Sequence, residues 1–145
     1  MAAWLVVREG HAALPAGVVD PSASTDDLAS VVKRFAGDAQ PRTGRVGFDI
    51  APLVENGNAV PITIAVDSPM TAADHVTAIA VYNEKNPQRD VIVCRLGPRA
   101  GRAELSTRIR LATSQKLVAL ARMSDGSCWQ ASVDVMVTLA ACIES

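Results

Sequence analysis

Several residue types are too scarce in this sequence to support whole classes of function. The two histidines, His11 and His75, lie far from each other and from any cysteine pair at ligand spacing, so we expect no metal site. A formal net charge of −1 over 145 residues argues against a nucleic-acid-binding protein. No apolar run reaches the roughly 20 residues that a membrane-spanning helix needs. These absences leave an ordinary globular protein, with neither nucleic acid nor a membrane as a partner.

Aromatic residues make up only 3% of the chain, so the core must be built from valine, alanine, leucine and isoleucine. Valine and isoleucine suit tightly packed strands, which favours a sheet structure. A chain of this length fits one domain, and such a domain buries roughly two-thirds of the surface that its unfolded form exposes. The composition therefore predicts a single, mostly β domain.

Three cysteines, Cys94, Cys128 and Cys142, leave one thiol unpaired even if two are bonded, which excludes a multi-bridge disulfide scaffold. Cys94 and Cys128 fall in or beside predicted strands, where small thiols often serve packing alone. A bridge between these two requires Cα atoms within roughly 7 Å, and the sequence leaves that question open. The chain also lacks a nucleophile-elbow motif, so we do not expect a hydrolytic enzyme.

The chain divides into three parts. Residues 1–23 contain Pro15 and Pro21 with little periodicity and form an irregular lead-in. Residues 24–139 form the folded domain. Residues 140–145 follow the last predicted strand as a C-terminal arm that carries a cysteine.

The stretch STDDLASVVKRFAGD predicts one helix, residues 24–37. Ser24 or Thr25 can cap its start, and Gly37 ends it. Apolar side chains recur at the spacing of one helix face, and they are Leu28, Val31, Val32 and Phe35. A stripe of this kind must pack on another element of the fold.

From Gly44 onward the hydrophobic period becomes two, which predicts strands. We expect seven, at residues 45–50, 60–66, 76–82, 91–96, 102–111, 116–122 and 129–139. The inward side chains of the fifth strand are Ala103, Leu105, Thr107, Ile109 and Leu111, and those of the last are Trp129, Ala131, Val133, Val135, Val137 and Leu139. Seven short strands separated by turns predict an antiparallel β-sandwich with the helix packed beside it.

Arginines are concentrated between residues 95 and 122, where Glu104 is the only carboxylate. They are Arg95, Arg99, Arg102, Arg108, Arg110 and Arg122. A solvated sheet face explains this pattern. A docking surface for an acidic partner or a binding patch for a small oxyanion explains it too, and the sequence leaves these alternatives open.

Cys142 differs from the other cysteines because only Ile143, Glu144 and Ser145 follow it, too few residues to bury it. Six residues beyond Leu139 extend at most about 20 Å, so the thiol can reach into another protein's pocket. Glu144 and the terminal carboxylate disfavour the thiolate, so the pKa of Cys142 should be at or above the usual value of about 8.5. Such a thiol suits a carrier that a partner activates better than an enzyme.

Several long motifs run in order from about Gly44 to the end of the sequence: ENGNAVPITIAVDSPMTAADHV, EKNP, GPRAGRAELSTRIRLATSQKLVALARMSDGSCW and VTLAAC. Together they resemble the SoxY family of thiosulfate-oxidation carrier proteins. The resemblance implies an immunoglobulin-like β-sandwich without catalytic activity or a cofactor. It also implies that Cys142 carries a sulfur-containing intermediate covalently.

The same resemblance implies particular partners. A SoxZ-like protein would form a heterodimer with this chain in the periplasm, and the enzymes of sulfur compound oxidation would act on the carried intermediate in turn. Anions or partners would contact the chain through Arg99, Arg102, Arg108 and Arg110. The periplasmic location rests on the resemblance alone, because the sequence as given begins without a convincing signal peptide.

The arm departs from the family pattern of Gly-Gly-Cys-Gly-Gly. Ala140 and Ala141 precede the cysteine here, and Ile143 and Glu144 follow it, as in a SoxY-related subgroup with an AACIE arm. Each residue with a Cβ narrows the backbone freedom that glycine allows. The cargo of such an arm is therefore left open.

Two other functions remain as alternatives to the carrier. In one, the altered arm bears no cargo, and the sandwich is a non-catalytic module that docks partner proteins. In the other, the chain is a thiol enzyme in which folding brings His75 to Cys142.

Overall fold

The computed structural model describes residues 27–139, which form one helix, nine strands and a short 3-10 turn at Pro98–Ala100. The helix, α1, comprises Leu28–Ala36. The strands are β1 (Arg42–Thr43), β2 (Val46–Asp49), β3 (Leu53–Val54), β4 (Val60–Val66), β5 (Val76–Asn83), β6 (Asp90–Arg95), β7 (Ala103–Ile109), β8 (Gln115–Met123) and β9 (Cys128–Val137). No helix among these residues is long and apolar enough to span a membrane.

The strands form two sheets, which confirms the predicted β-sandwich. The larger sheet has the order β1-β9-β8-β5-β6, with β3 also paired to β9, and the smaller has the order β2-β4-β7. All seven predicted strands are present. The two additional strands, β1 and β3, were missed because two residues are too few to show a period.

The seven predicted strands pair antiparallel, as expected, whereas the two strands that were not predicted, β1 and β3, pair parallel. Both pair parallel with β9, β1 at Trp129 and Gln130 and β3 at Met136 and Val137. Between them the chain crosses to the other sheet as β2, which is antiparallel to β4. Two segments from the early part of the chain thus pair with the two ends of β9. This arrangement depends on contacts between residues that are distant in sequence.

The main core lies between the two sheets. Ile64, Ile79, Leu111 and Leu117 are completely buried there, and each such side chain contributes about 1.5–3 kcal/mol relative to an exposed one. The predicted alternation is confirmed along the whole of β7 and, in β9, from Ala131 to Val137, whereas Trp129, Gln130 and Ala131 at the start of β9 are all half-buried. The inward placement of Leu139 was wrong, because this residue lies beyond β9 and is exposed.

The helix packs on the outer face of the larger sheet. Val31 and Ala36 are buried against Ala80 and Leu120 of the two central strands, in a second apolar cluster. The Phe35 ring contributes two further contacts at the edge of this cluster. It meets the Tyr82 ring edge-on at 6.3 Å, and the Arg122 guanidinium lies 5.0 Å from its centre. The predicted apolar stripe is therefore confirmed.

The predicted N-terminal cap was wrong. The helix begins at Leu28, and Asp27 caps it by accepting a hydrogen bond from the Ser30 N–H at 2.8 Å. Two hydrogen bonds from Ser30 lower the pKa of Asp27. Several capping residue types follow one another in STDD, so propensity alone did not select the right one. Gly37 ends the helix at a φ of 65°, as predicted.

Candidate functional site

The backbone remains hydrogen-bonded to the sandwich beyond Val137, the last residue of β9. The Val137 N–H donates to Ser114 Oγ at 2.7 Å, and the Thr138 N–H donates to the Val54 carbonyl at 3.0 Å. The Thr138 hydroxyl also reaches the Glu55 carbonyl at 3.3 Å. The backbone that leads into the C-terminal arm is thus fixed to the sandwich through Thr138.

Gly57 extends this anchorage by one residue. Its N–H donates to the Leu139 carbonyl at 2.8 Å, and its own carbonyl accepts from the Leu111 N–H at 2.8 Å. The loop that contains Gly57 therefore joins the chain end to the segment that follows β7. We call Thr138 and Leu139, with the residues that bind them, the arm base.

A buried amide network supports the loops around the arm base. Asn86 Oδ1 accepts from the Ala112 N–H at 2.9 Å and from Gln115 Nε2 at 2.7 Å. Gln115 Oε1 in turn accepts from the Lys85 N–H at 2.8 Å. Asn83, only 1% exposed, accepts from the Asn86 N–H. These bonds tie the turn at Lys85 and Asn86 to the segment that follows β7 and to the first residue of β8.

The predicted site residues of the arm lie outside the described residues. They are Ala140, Ala141, Cys142, Ile143 and Glu144. The fixed position of Leu139 nevertheless limits the reach of the thiol. Consecutive Cα atoms are 3.8 Å apart, so the Cα of Cys142 lies at most about 11 Å from that of Leu139. The 20 Å given by the sequence applies to the whole arm, and the thiol can travel only about half that distance.

Large apolar side chains are exposed beside the arm base. Leu53, Met136 and Leu139 are 55%, 62% and 61% exposed. Leu53 and Met136 are register partners across β3 and β9, so they lie side by side on the outer face. We call these three residues the arm-base patch. This patch was not predicted from the sequence, because a strand of two residues such as β3 shows no period.

A groove of about 510 Å³ adjoins the arm-base patch. Leu53 and Met136 form part of its apolar lining, and Pro52 adds to it. Its remaining walls carry charges of both signs, from Glu84, Lys85, Lys116 and Asp134. The groove thus has an apolar part formed by these three residues and a charged part in which two acidic and two basic side chains balance.

The fold divides the predicted arginine patch between two ends of the sandwich. Arg99 lies in the 3-10 turn, and Arg102 forms an ion pair with Glu104 at 3.0 Å. Arg108 and Arg110 lie at the other end of β7, about 20 Å away. Arg110 directly precedes Leu111, whose N–H donates to Gly57. Two of the four arginines are therefore close to the arm base and two are remote from it.

Cys94 and Cys128 are both free thiols, which answers the question that the sequence left open. They lie in β6 and β9, with β5 and β8 between them, so about 14 Å of sheet separates them. Cys128 is only 1% exposed beneath the helix, and burial raises the pKa of its thiol. Neither its accessibility nor its protonation suits Cys128 for a role as a nucleophile.

His75 lies at the wrong end of the molecule to assist Cys142. It precedes β5, next to Ser124, at the end of the sheet where β9 begins. The ten residues of β9 span about 30 Å, whereas the thiol reaches only about 11 Å beyond Leu139. The His75 ring instead hydrogen-bonds the Thr71 carbonyl at 3.0 Å. The topology therefore excludes a Cys142–His75 catalytic pair.

Within residues 27–139, no group of three or more histidine, cysteine, aspartate or glutamate side chains is placed to hold a metal ion. The remaining candidate site is the end of β9, where a rigid anchor, an exposed apolar patch and two arginines meet.

Comparisons with known proteins identify one matching family and several solved structures with a similar fold. The family model described as sulfur oxidation protein SoxY matches residues 32–142. The sulfur carrier protein SoxY from Chlorobium limicola f thiosulfatophilum is 24% identical, with a TM-score of 0.66 over 78% of this chain and 97% of that one. A superoxide reductase (neelaredoxin) from Ignicoccus hospitalis is 15% identical, with a TM-score of 0.59 over 79% of this chain and 89% of that one. Curated proteins give no match.

The two structural similarities show a shared fold, and they transfer no activity at these identities. The family match carries more information, because it covers well over half of the chain and extends to Cys142. It confirms the resemblance seen in the sequence motifs. The chain therefore belongs to the SoxY family of sulfur oxidation proteins.

Proposed function

We propose that this protein is a sulfur carrier that holds a sulfur-containing intermediate covalently on Cys142 and presents it to enzymes of sulfur compound oxidation. The observation that carries the proposal is the family match, which extends along the chain as far as Cys142. The rigid arm base gives a second reason, since a carrier needs a firm origin for its arm. SoxY proteins carry sulfur and do not catalyse its conversion, which agrees with the expectation that this chain is not an enzyme.

Loading of the carrier is an oxidation. When a sulfur anion joins the Cys142 sulfur, one S–S bond forms, the thiol proton leaves and two electrons are released. A redox enzyme of the pathway must accept these electrons. That enzyme must also activate the thiol, because the thiolate is the reactive form and an unassisted cysteine is mostly protonated at neutral pH. The protein thus supplies the attachment atom and its partner supplies the chemistry.

The partners and the location belong to the same proposal. A SoxZ-like protein forms a heterodimer with this chain, and the complex works in the periplasm, where the sulfur-oxidation enzymes meet it. Arg108 and Arg110 lie on the arm-base side and are better placed than Arg99 and Arg102 to contact an anionic cargo.

Intact-protein mass spectrometry tests the carrier function. Protein isolated without reductant from its own cells, grown on a reduced sulfur compound, should show sulfur-containing adducts on Cys142. Cys142→Ala should lose every adduct and keep the wild-type unfolding midpoint. Cys94→Ala is the matched control and should keep the adducts. A Cys142 thiol that is always bare under these conditions contradicts the carrier function.

A bare thiol would instead support the second candidate, a docking module without cargo. One observation favours that candidate: Ala140, Ala141 and Ile143 replace glycines of the usual SoxY arm. Co-purification of partner proteins from the same cells tests this candidate, because a docking module should bind its partners equally well with and without Cys142.

A further inference from the structure

We propose that the arm-base patch, Leu53, Met136 and Leu139, is the surface on which a partner enzyme closes when it takes up Cys142, and that the enzyme presents an apolar rim to it. This inference rests on the proposed carrier function. It identifies which part of the sandwich surface the enzymes recognise and the kind of surface that they bring to it.

The length of the arm dictates where the enzyme must bind. Leu139 is hydrogen-bonded to Gly57, and the Cα of Cys142 lies at most about 11 Å beyond it. An enzyme whose pocket takes up the thiol must therefore bring the mouth of that pocket within this distance of Leu139. The surface of the sandwich around the arm base then contacts the enzyme in every transfer reaction.

The composition of this surface fits an apolar rim. Four large hydrophobic side chains of the described residues are exposed, and three of them lie at the end of β9, where Leu53 and Met136 are register partners and Leu139 follows three residues after Met136. The fourth, Val93, lies in β6 at the far edge of the larger sheet. Clustered exposed apolar side chains mark interaction sites, whereas single ones are common on any surface. The clustering at the arm base therefore indicates a binding surface.

The backbone beneath the patch is preorganised. The Met136 N–H donates to the Pro52 carbonyl at 2.8 Å, and the Thr138 N–H donates to the Val54 carbonyl at 3.0 Å. A rigid surface loses little entropy when it binds, which favours affinity. The methionine side chain itself is flexible and adapts to differently shaped partners. This combination suits a carrier that visits several enzymes in turn.

The surrounding charges predict how binding responds to salt. Glu84, Lys85, Lys116 and Asp134 balance one another along the adjoining groove. Contacts with the groove should therefore depend only weakly on ionic strength, because the groove carries no net charge, whereas contacts with Arg108 and Arg110 should weaken as the salt concentration rises.

Met136→Lys tests the proposal, with Val93→Lys as the matched control. Both substitutions place a charge at an exposed apolar position, but only the first lies in the arm-base patch. In the organism's own cells, Met136→Lys should lower the fraction of Cys142 that carries sulfur by about tenfold. Val93→Lys should leave it unchanged. Met136→Leu should keep nearly normal loading, because the apolar character is retained.

Two measurements on the purified variants separate docking from other effects. Alkylation of Cys142 by a maleimide should proceed at the wild-type rate in Met136→Lys, which shows that the arm is still accessible. The thermal unfolding midpoint should also be unchanged. A lower midpoint would mean that the Met136 side chain contributes to the stability of the folded chain itself, and it would overturn the proposal.

Three other outcomes would also overturn it. Normal loading of Met136→Lys shows that the patch is not used. Loss of the SoxZ-like partner, or of a second copy of the chain, from Met136→Lys on size-exclusion chromatography shows that the patch belongs to a permanent interface. A wild-type protein without any adduct refutes the carrier function itself, and this result is distinct from a failure of the variant alone.

Discussion

The two ends of β9 differ in almost every physical respect. At its start, Cys128 is buried under the helix, and the guanidinium groups of Arg42 and Arg45 lie 5.7 and 5.6 Å from the Trp129 ring centre. At its end, Met136 is 62% exposed. One strand thus connects a closed end to an open one. The comparison shows that the role of a cysteine near the end of a strand depends on its surroundings. A thiol covered by another element serves packing, whereas an uncovered thiol is available for chemistry.

The largest effect should come from the closed side of the sheet. Leu120→Ala removes a completely buried side chain beneath the helix and should lower the free energy of unfolding by about 3 kcal/mol. Leu53→Ala makes the same chemical change at the open end, where the side chain is 55% exposed, and should cost less than about 1 kcal/mol. Urea denaturation measures both values. Equal losses would contradict the contrast between the two ends.

The anchor at the open end should have an intermediate effect. Ser114→Ala removes the oxygen that accepts the Val137 N–H and should cost about 1–2 kcal/mol. Amide hydrogen exchange should accelerate at Val137 and Thr138 and stay unchanged at Cys128. Ser106→Ala is the matched control, because among the described residues its hydroxyl bonds the Thr63 hydroxyl rather than a backbone group, and it should change little. Unaltered exchange at Val137 in Ser114→Ala would disprove the anchor.

The pH dependence of the unfolding free energy should distinguish Cys128 at the closed end from Cys142 beyond the open end. Burial raises the pKa of the Cys128 thiol, so the folded protein holds this proton more tightly than the unfolded chain. The resulting stability is fully present below the unfolded pKa and is lost as the pH rises through the higher folded value. Tyr82, whose pKa burial also raises, adds to this loss. Cys128→Ala should therefore flatten the alkaline decline in unfolding free energy, whereas Cys142→Ala should leave it as steep as in the wild type.

The smallest effect concerns the arm itself. Replacing Ala140, Ala141 and Ile143 with glycine should leave the unfolding midpoint unchanged, because the hydrogen bonds that fix Thr138 and Leu139 to Val54 and Gly57 are kept in the variant. Transfer of sulfur to partner enzymes should change by a few-fold, since glycine widens the accessible backbone conformations. Pulse labelling of the Cys142 adduct in cells measures this rate. A rate identical to that of the wild type would mean that arm flexibility does not limit transfer.

Most of the fold was predictable because its signals are local. The alternation in β7 and β9 identified their inward faces, and the apolar stripe of the helix identified the side that packs on the sheet. The errors arose where the signal was short or degenerate. Two-residue strands carry no period, and adjacent Ser, Thr and Asp residues compete as helix caps.

The candidate site was predictable only in part. The sequence identified Cys142 as unusual through its position near the end of the chain. It did not show that Gly57 and Ser114 fix the strand end, because these contacts join residues 82 and 23 positions apart from their partners. Nor did it show that Arg99 and Arg102 lie far from Arg108 and Arg110, since one strand carries both pairs to opposite ends.

The sequence by itself determined the strand and helix segments and the family, because periodicity and motifs are properties of neighbouring residues. Only the tertiary structure decided which thiol is buried, how far Cys142 can reach and which apolar side chains remain exposed beside the arm base. These properties depend on which distant segments come to lie against β9, and in a sandwich that pairing is set by the whole fold rather than by any local stretch.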